Sequence, residues 1–223
     1  MNLLYVSMTR REKQLGFPWL VICALVLPTL LGLWAAPLAF AGTLFVFRTF
    51  LRESLQVPLT TPFQIALKVV LGLIVSYVVT IFMNDLFFFY LPDFFEYTDF
   101  GPMYYNVNEA AFAELVRENF LLTAIAFVVL MPITEEVLFR GLLFGSLFRY
   151  NRILAYTVSV GIFAILPVLP LLGQYPDFYL ILNFLQYVPL GLVLGWVYTS
   201  TETILTPILL RMVIHAIAIC SMR

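Results

Sequence analysis

Long apolar runs, separated by short groups of charged residues or by Pro and Gly, dominate the pattern of this chain. A helix that crosses a bilayer needs about 20 apolar residues, so the lengths of the runs predict membrane spans. Six or seven helices fit. Residues 15–47 form one apolar run, broken only by Pro28, Pro37 and small residues, so the boundary between the first two spans is the least defined. The predicted spans are 16–34, 38–54, 62–90, 119–148, 153–172, 177–198 and 204–222.

Basic residues flank several of these spans, and such residues accumulate on the cytoplasmic side of membrane proteins. We therefore expect the N terminus to face the cytoplasm. The segment 92–118 is acidic and aromatic instead, which predicts an external loop with its rings at the membrane interface. The apolar run near the N terminus is too long for the core of a cleavable signal, so a retained first helix is expected. The basic residues are Arg10, Arg11, Lys13, Arg48, Arg52, Arg149 and Arg152.

The composition excludes a soluble globule, because 62% of the residues are hydrophobic and only 11% are charged. The chain is predicted to be an all-α integral membrane protein, a polytopic helical bundle in the lipid bilayer. Its net charge of −1 includes no basic excess, so no nucleic-acid partner is expected. Without a repeat or long linker, one continuous membrane domain is predicted, with N-terminal helices and the acidic loop in 1–118 and a core in 119–223.

Residues 132–141 carry two adjacent carboxylates and a guanidinium inside the fourth predicted span. Such groups are rare in a membrane segment and usually have a function there. Pro132 removes a backbone donor and is expected to bend the helix. Thr134 is predicted to cap the segment that restarts after the bend, which would place the glutamates in a first helical turn.

Glu136 and Arg140 are four residues apart, so they share a helix face with the glutamate in the favourable N-terminal position for an ion pair. Glu135 points about 100° away. It is therefore available to the bundle interior, where a water molecule or a substrate carbonyl would meet it. The alternative is a buried ion pair that only fixes helix packing.

The run PITEEVLFRGLLFG, residues 132–145, closely resembles the signature of the CAAX protease and bacteriocin-processing (CPBP, or Abi) family, with Phe139 as a further motif position. The resemblance extends over about residues 119–219. It implies an all-helical intramembrane endopeptidase in which Glu135 activates a water to cleave a peptide or protein tail at the membrane. Family activities run from CAAX processing in eukaryotes to bacteriocin maturation and self-immunity in bacteria. The compact chain favours the second group and a bacterial cell membrane.

Two later family motifs, Phe-x-x-x-His and His-x-x-x-Asn/Asp, are altered here. Phe163 falls on the family phenylalanine and Pro167 on its histidine. On the last helix, the segment around Pro207 places Arg211 on the family histidine and His215 on the Asn/Asp position. An alternative register puts His215 on the family histidine and Ile219 on the Asn/Asp position.

A metal and other cofactors are not expected, because a catalytic zinc usually takes three His, Glu or Asp ligands. One histidine and two adjacent glutamates remain, and a guanidinium at position 211 would repel a cation. We hypothesise instead that Arg211 and His215, four apart on one face, meet the glutamates across the bundle. Glu135, Glu136, Arg140 and Arg211 would then form a charge-neutral cluster, with His215 as the one group titrating near pH 7.

Three functions of different classes remain open. The first is a glutamate-dependent endopeptidase with Glu135 as base and with Arg211 or His215 stabilising the oxyanion. The second is a catalytically impaired family member that binds a peptide, as an immunity or membrane-scaffold protein. The third is a proton-linked carrier that uses the glutamates, His215 and Asp85.

Overall fold

The computed structural model describes residues 6–56, 62–90 and 107–222, and this part of the chain is helical without any strand. The predicted all-α fold class is confirmed. A short 3-10 turn, Leu169–Leu171, joins two of the helices. The eight helices are α1 Arg10–Val46, α2 Arg48–Gln56, α3 Pro62–Tyr90, α4 Val107–Glu118, α5 Phe120–Phe148, α6 Arg152–Ile165, α7 Asp177–Thr201 and α8 Leu205–Ser221.

Helix α1 folds back on itself at Gly32 and forms two antiparallel arms. The indole Nε1 of Trp19 donates to Thr43 Oγ1 at 3.0 Å, although 24 residues separate the two. A straight helix of that length would place them about 36 Å apart. Gly32 makes the turn with φ +54°, a conformation that glycine adopts readily. The arms approach so closely that a Cβ at Gly42 would stand 2.0 Å from the Trp19 ring.

These two arms correspond to the first two predicted spans, with one correction. The second span was predicted to reach residue 54, but its helix ends at Val46. Residues Arg48–Gln56 form the separate helix α2. Arg48, Arg52 and Glu53 are exposed on α2 while Phe50 is buried, as expected of an amphipathic helix at a membrane surface.

Four of the described segments are long and apolar enough to cross a bilayer, namely α1, Pro62–Met83 within α3, α5 and α7, whereas α6 and α8 are shorter apolar helices. The chain is thus an integral membrane protein. The predicted spans 62–90, 119–148, 177–198 and 204–222 agree with the helices within a few residues. The prediction 153–172 is too long, because α6 ends at Ile165 and Pro167 and Pro170, which lack an N–H, follow.

The external loop predicted at 92–118 is only partly described. Its first part, up to residue 106, lies outside the described residues. The rest forms α4, so a loop there was wrong. Alanine, glutamate and leucine, all strong helix formers, make up much of Val107–Glu118, and this local preference accounts for the helix.

Helix α5 lies at the centre of the bundle, and every residue from Glu136 to Phe144 is buried. One side of it packs in a cluster with Phe47, Phe50 and Tyr198. The other side packs with residues of α6, α7 and α8, among them Phe163, Leu194 and Leu210. Most of the charged motif is therefore buried between helices.

Candidate active site

The motif glutamates lie in the middle of α5, so the predicted cap at Thr134 was wrong. Thr134 Oγ1 donates to the carbonyl of Leu130 at 2.8 Å, one turn back, as an interior threonine does. The helix continues through Pro132 because wide π-helical turns, Ile125–Leu130 and Val137–Phe144, lie on both sides of it. Since no helix begins at Thr134, the glutamates gain no stabilisation from a helix N-terminus.

Glu136 and Arg140 form the ion pair that their spacing predicts. Arg140 Nε lies 3.3 Å from Glu136 Oε2, and both side chains are almost completely buried. Arg140 Nη2 also donates to the carbonyl of Gly191 at 3.0 Å. A buried charge that lacks compensation is very costly. The glutamate and the Gly191 carbonyl together compensate the guanidinium and tie α5 to α7.

Arg211 of α8 reaches both glutamates. Its Nη1 lies 3.5 Å from Glu136 Oε1, and its Nη2 forms an ion pair with Glu135 Oε2. The structure thus brings together the four charged residues that the sequence suggested as a cluster, two carboxylates and two guanidiniums, and their formal charges cancel. Arg211 is only 8% exposed, so it is buried together with Glu136 and Arg140.

Phe163 of α6 contacts both guanidiniums. The central carbons of Arg140 and Arg211 lie 4.7 Å and 4.8 Å from the centroid of its ring, within cation–π distance. Phe139 meets the same ring edge to face at 5.6 Å. The sequence identified Phe139 and Phe163 only as motif positions, and it did not reveal that Phe163 supports both arginines.

An apolar cavity of about 510 Å³ adjoins one side of this cluster. Glu135 and Arg211 line it, whereas Glu136 and Arg140 are not among the described lining residues. The side chain of Glu135 is 21% exposed and that of Glu136 is 0% exposed. Adjacent in sequence, the two carboxylates have different surroundings, and Glu135 is the one that a bound molecule can reach.

The other walls of the cavity are largely apolar. Both arms of α1 contribute, and Pro167 lines the cavity just after the end of α6. Proline carries no side-chain group that binds or transfers a proton. Neither Asp85 nor His215 is among the described lining residues. The lining residues from α1 are Leu20, Cys23, Ala24, Pro28, Gly32, Leu33, Ala35, Ala36 and Ala39.

His215 lies one turn beyond Arg211 and contacts a different part of α5. Its ring stacks on Phe127 with 6.5 Å between centroids and 28° between planes. The backbone of Phe127 lies within hydrogen-bonding reach of the imidazole. In the described part of the chain, His215 forms neither an ion pair nor a hydrogen bond with Glu135 or Glu136.

The described residues do not provide a set of side chains suited to hold a metal ion. They contain no group of three or more His, Cys, Asp or Glu side chains close enough to hold an ion. Arginines already occupy both glutamates of the cluster. In the described residues, the side chains of the cluster form an ion-pair network and do not supply the three ligands that a catalytic zinc usually takes.

In a comparison with protein families, residues 117–217 match the family model described as type II CAAX prenyl endopeptidase Rce1-like. The match covers just under half of the chain and includes α5, α6, α7 and most of α8, with all four charged residues of the cluster. Comparisons with curated proteins and with solved structures give no match. Residues 117–217 are thus similar to the Rce1-like CAAX prenyl endopeptidases, a group of the CAAX protease and bacteriocin-processing family, and this agrees with the resemblance of the motif at 132–145.

Proposed function

We propose that this protein is a glutamate-dependent intramembrane endopeptidase with Glu135 as its general base. The observation that carries the proposal is that Glu135 and Arg211, an acceptor of protons and a fixed cation, line the same cavity side by side. Hydrolysis of an amide needs both, one to activate water and one to stabilise the oxygen that becomes negative. The similarity of residues 117–217 to a protease family supports the same chemistry.

The reaction uses a water molecule in the cavity beside Glu135. Glu135 takes a proton from the water while the water oxygen attacks the carbonyl carbon of the scissile amide. The carbonyl oxygen becomes an oxyanion, and Arg211 turns from Glu135 towards it. The C–N bond then breaks, the carbonyl re-forms, and the proton on Glu135 passes to the leaving nitrogen. The products are a carboxylic acid and an amine, and Glu135 is an ionised base again.

Glu136 and Arg140 have a different task in this proposal. Their pair is closed off from the cavity and bonded to the Gly191 carbonyl, so it keeps α5 in place while Glu135 reacts. Arg211 touches Glu136 as well, and that contact keeps the guanidinium near the reacting atoms after it leaves Glu135. The substrate class in this proposal is an apolar peptide or protein tail that enters the cavity within the membrane.

A second candidate is a protein that binds such a peptide and does not cut it, as an immunity or membrane-binding protein. Two observations favour it. Glu135 is already engaged by Arg211, and Pro167 lines the cavity at the position where the family has a histidine. A proton-linked carrier is less well supported, because Asp85 is exposed on α3 and is not among the described residues of the cavity.

The deciding experiment uses the purified protein in lipid vesicles with two kinds of peptide, a prenylated CAAX-type tail and a bacteriocin leader. We expect cleavage by the wild type and a loss of roughly 10²- to 10⁴-fold with Glu135→Gln. The double variant Glu135→Gln/Arg211→Gln keeps the cluster neutral and is expected to be equally inactive. Glu53→Gln, which changes an exposed carboxylate on α2, is the matched control with unchanged cleavage.

The same variants distinguish the second candidate in cells exposed to a bacteriocin. A protease that matures or destroys the peptide loses protection when Glu135 is replaced. Protection that survives Glu135→Gln, together with a wild type that cleaves neither peptide, would contradict the endopeptidase and favour binding without cleavage.

A further inference from the structure

Pro132 leaves a gap in the hydrogen bonding of α5 just before the glutamates. In the π-helical turn ahead of it, the N–H of Met131 bonds to the carbonyl of Ala126, five residues back. In the same register the carbonyl of Phe127 would receive the N–H of residue 132, and proline has none. An unsatisfied carbonyl is unfavourable in hydrocarbon, where no water replaces the missing donor. The Phe127 carbonyl therefore needs a donor from another helix.

His215, the only histidine of the chain, stands at this position. It is half-buried on α8, and the backbone of Phe127 lies within hydrogen-bonding reach of its imidazole. Its ring stacks on that of Phe127, which orients the imidazole beside the same residue. A neutral imidazole carries one N–H and a protonated one carries two, so histidine serves as a donor in both forms.

We propose that His215 is a positioning residue, whose ring N–H donates to the carbonyl of Phe127 in place of the backbone N–H that Pro132 lacks. The bond holds the wide turn that precedes Glu135. It also ties α8 to α5 one turn from Arg211, so the same contact sets the distance between Arg211 and the carboxylates. His215 thus acts through the backbone and not as an acid or base.

The consequence for Glu135 rests on the proposed function, whereas the hydrogen bond does not. Pro132 is three residues before Glu135, and a collapsed or shifted turn would rotate the carboxylate away from the cavity. The bond itself is testable through folding alone. Failure of the cleavage experiment would then leave this proposal standing, and failure of the folding experiment would leave the endopeptidase standing.

The test is a double-mutant cycle of His215→Ala and Pro132→Ala, followed by reversible unfolding of the full chain in mild detergent. With Pro132 present, we expect His215→Ala to lower the folding equilibrium constant by roughly 3- to 20-fold. With Pro132→Ala, residue 132 supplies its own N–H, and His215→Ala is expected to have less than about a twofold effect. If the single variant does not fold, the double variant is still expected to fold.

Two further variants separate hydrogen bonding from packing. His215→Gln retains an N–H donor and is expected to recover most of the loss. Ile214→Ala, which removes a neighbouring side chain packed in the apolar cluster around Leu194, should have the same effect with or without Pro132. An equal loss from His215→Ala in both backgrounds, or a His215→Gln as unstable as His215→Ala, would overturn the proposal.

Discussion

Two ion pairs lie side by side at the centre of this protein and differ in what surrounds them. Arg140 pairs with Glu136 one turn earlier on the same helix, and both side chains are closed off from the cavity. Arg211 pairs with Glu135 from another helix, and both residues line the cavity. We call them the closed pair and the open pair. Adjacent positions in one sequence motif thus place one carboxylate among protein atoms and the other beside a space that a ligand can occupy.

The charged motif of this protein thus contains two kinds of residue. In the closed pair each charge has compensating partners, and removing one partner leaves the other as a buried, uncompensated charge. In the open pair, Arg211 can exchange its partner. A substrate oxygen in the cavity can take the place of the Glu135 carboxylate oxygen beside the guanidinium. Changes to the closed pair should therefore act mainly on folding, and changes to the open pair mainly on chemistry.

Arg140→Met tests the closed pair and should have the largest effect on stability. It leaves Glu136 fully buried with only the longer contact to Arg211, at 3.5 Å, and it removes the bond to the Gly191 carbonyl. We expect a loss of about 3–5 kcal/mol in the free energy of unfolding. Denaturant titration of the purified protein in mild detergent measures it.

Its control removes both partners of the closed pair at once. Glu136→Leu/Arg140→Met leaves no buried charge in that pair, so we expect it to be more stable than Arg140→Met alone. Arg152→Met, an exposed arginine at the start of α6, should be nearly neutral. A double variant as unstable as the single one would mean that packing, not charge, explains the loss.

Arg211→Lys tests the open pair. Lysine keeps the positive charge and much of the stability, but its ammonium cannot contact Glu135 and Glu136 as the guanidinium does. We expect cleavage to fall by roughly 10- to 100-fold, within the range of a weakened oxyanion contact. Peptide cleavage in vesicles gives the rate, and denaturant titration gives the stability of the same sample. If the loss in the free energy of unfolding were as large as the loss in cleavage expressed as a free energy, the distinction between the closed pair and the open pair would be contradicted.

The helices were largely predictable because the length of an apolar run is a local property. Spans 62–90 and 177–198 were predicted within a few residues. The bend at Gly32 depends on packing between arms that are distant in sequence, such as the contact of Trp19 with Thr43, and apolar patterning does not reveal it. The end of α6 at Ile165 was missed although Pro167 and Pro170 carry a readable signal for it.

The site was predictable to the extent that it follows helix geometry. The spacing of Glu136 and Arg140 predicts their pair, and the register of the last motif brought Arg211 into the hypothesis. The Gly191 carbonyl and the contact of His215 with Phe127 were not predictable, since they depend on where α7 and α8 cross α5. The cap at Thr134 failed because the π-helical turns accommodate Pro132 without ending the helix.

Gly191→Ala disturbs the closed pair less than Arg140→Met does, because it changes only the helix that carries the carbonyl bonded to Arg140. A Cβ there would stand 3.0 Å from Val160 Cγ1 and 3.2 Å from the ring of Phe163. We expect α7 to move away from α6, lengthening the bond from Arg140 to the Gly191 carbonyl, with a loss of about 1–3 kcal/mol in the free energy of unfolding. Gly161→Ala, where a Cβ meets nothing within 4 Å, is the matched control on α6. Equal stabilities of the two variants would show that the neighbours give way without cost.

Phe163 contacts the arginine of each pair. Its replacement should have the smallest effect, divided about evenly between stability and cleavage. Phe163→Leu keeps an apolar side chain but removes the ring that lies 4.7 Å and 4.8 Å from the two guanidinium carbons. We expect a loss of about 1–2 kcal/mol in the free energy of unfolding, because both cation–π contacts are desolvated, and a reduction in cleavage of a few fold as Arg211 loses its support. Phe163→Tyr retains the ring and should stay close to wild type in both measurements. If Phe163→Leu changed stability and left cleavage unchanged, the ring would support only the closed pair. Arg211 would then keep its position through its contacts with the glutamates alone.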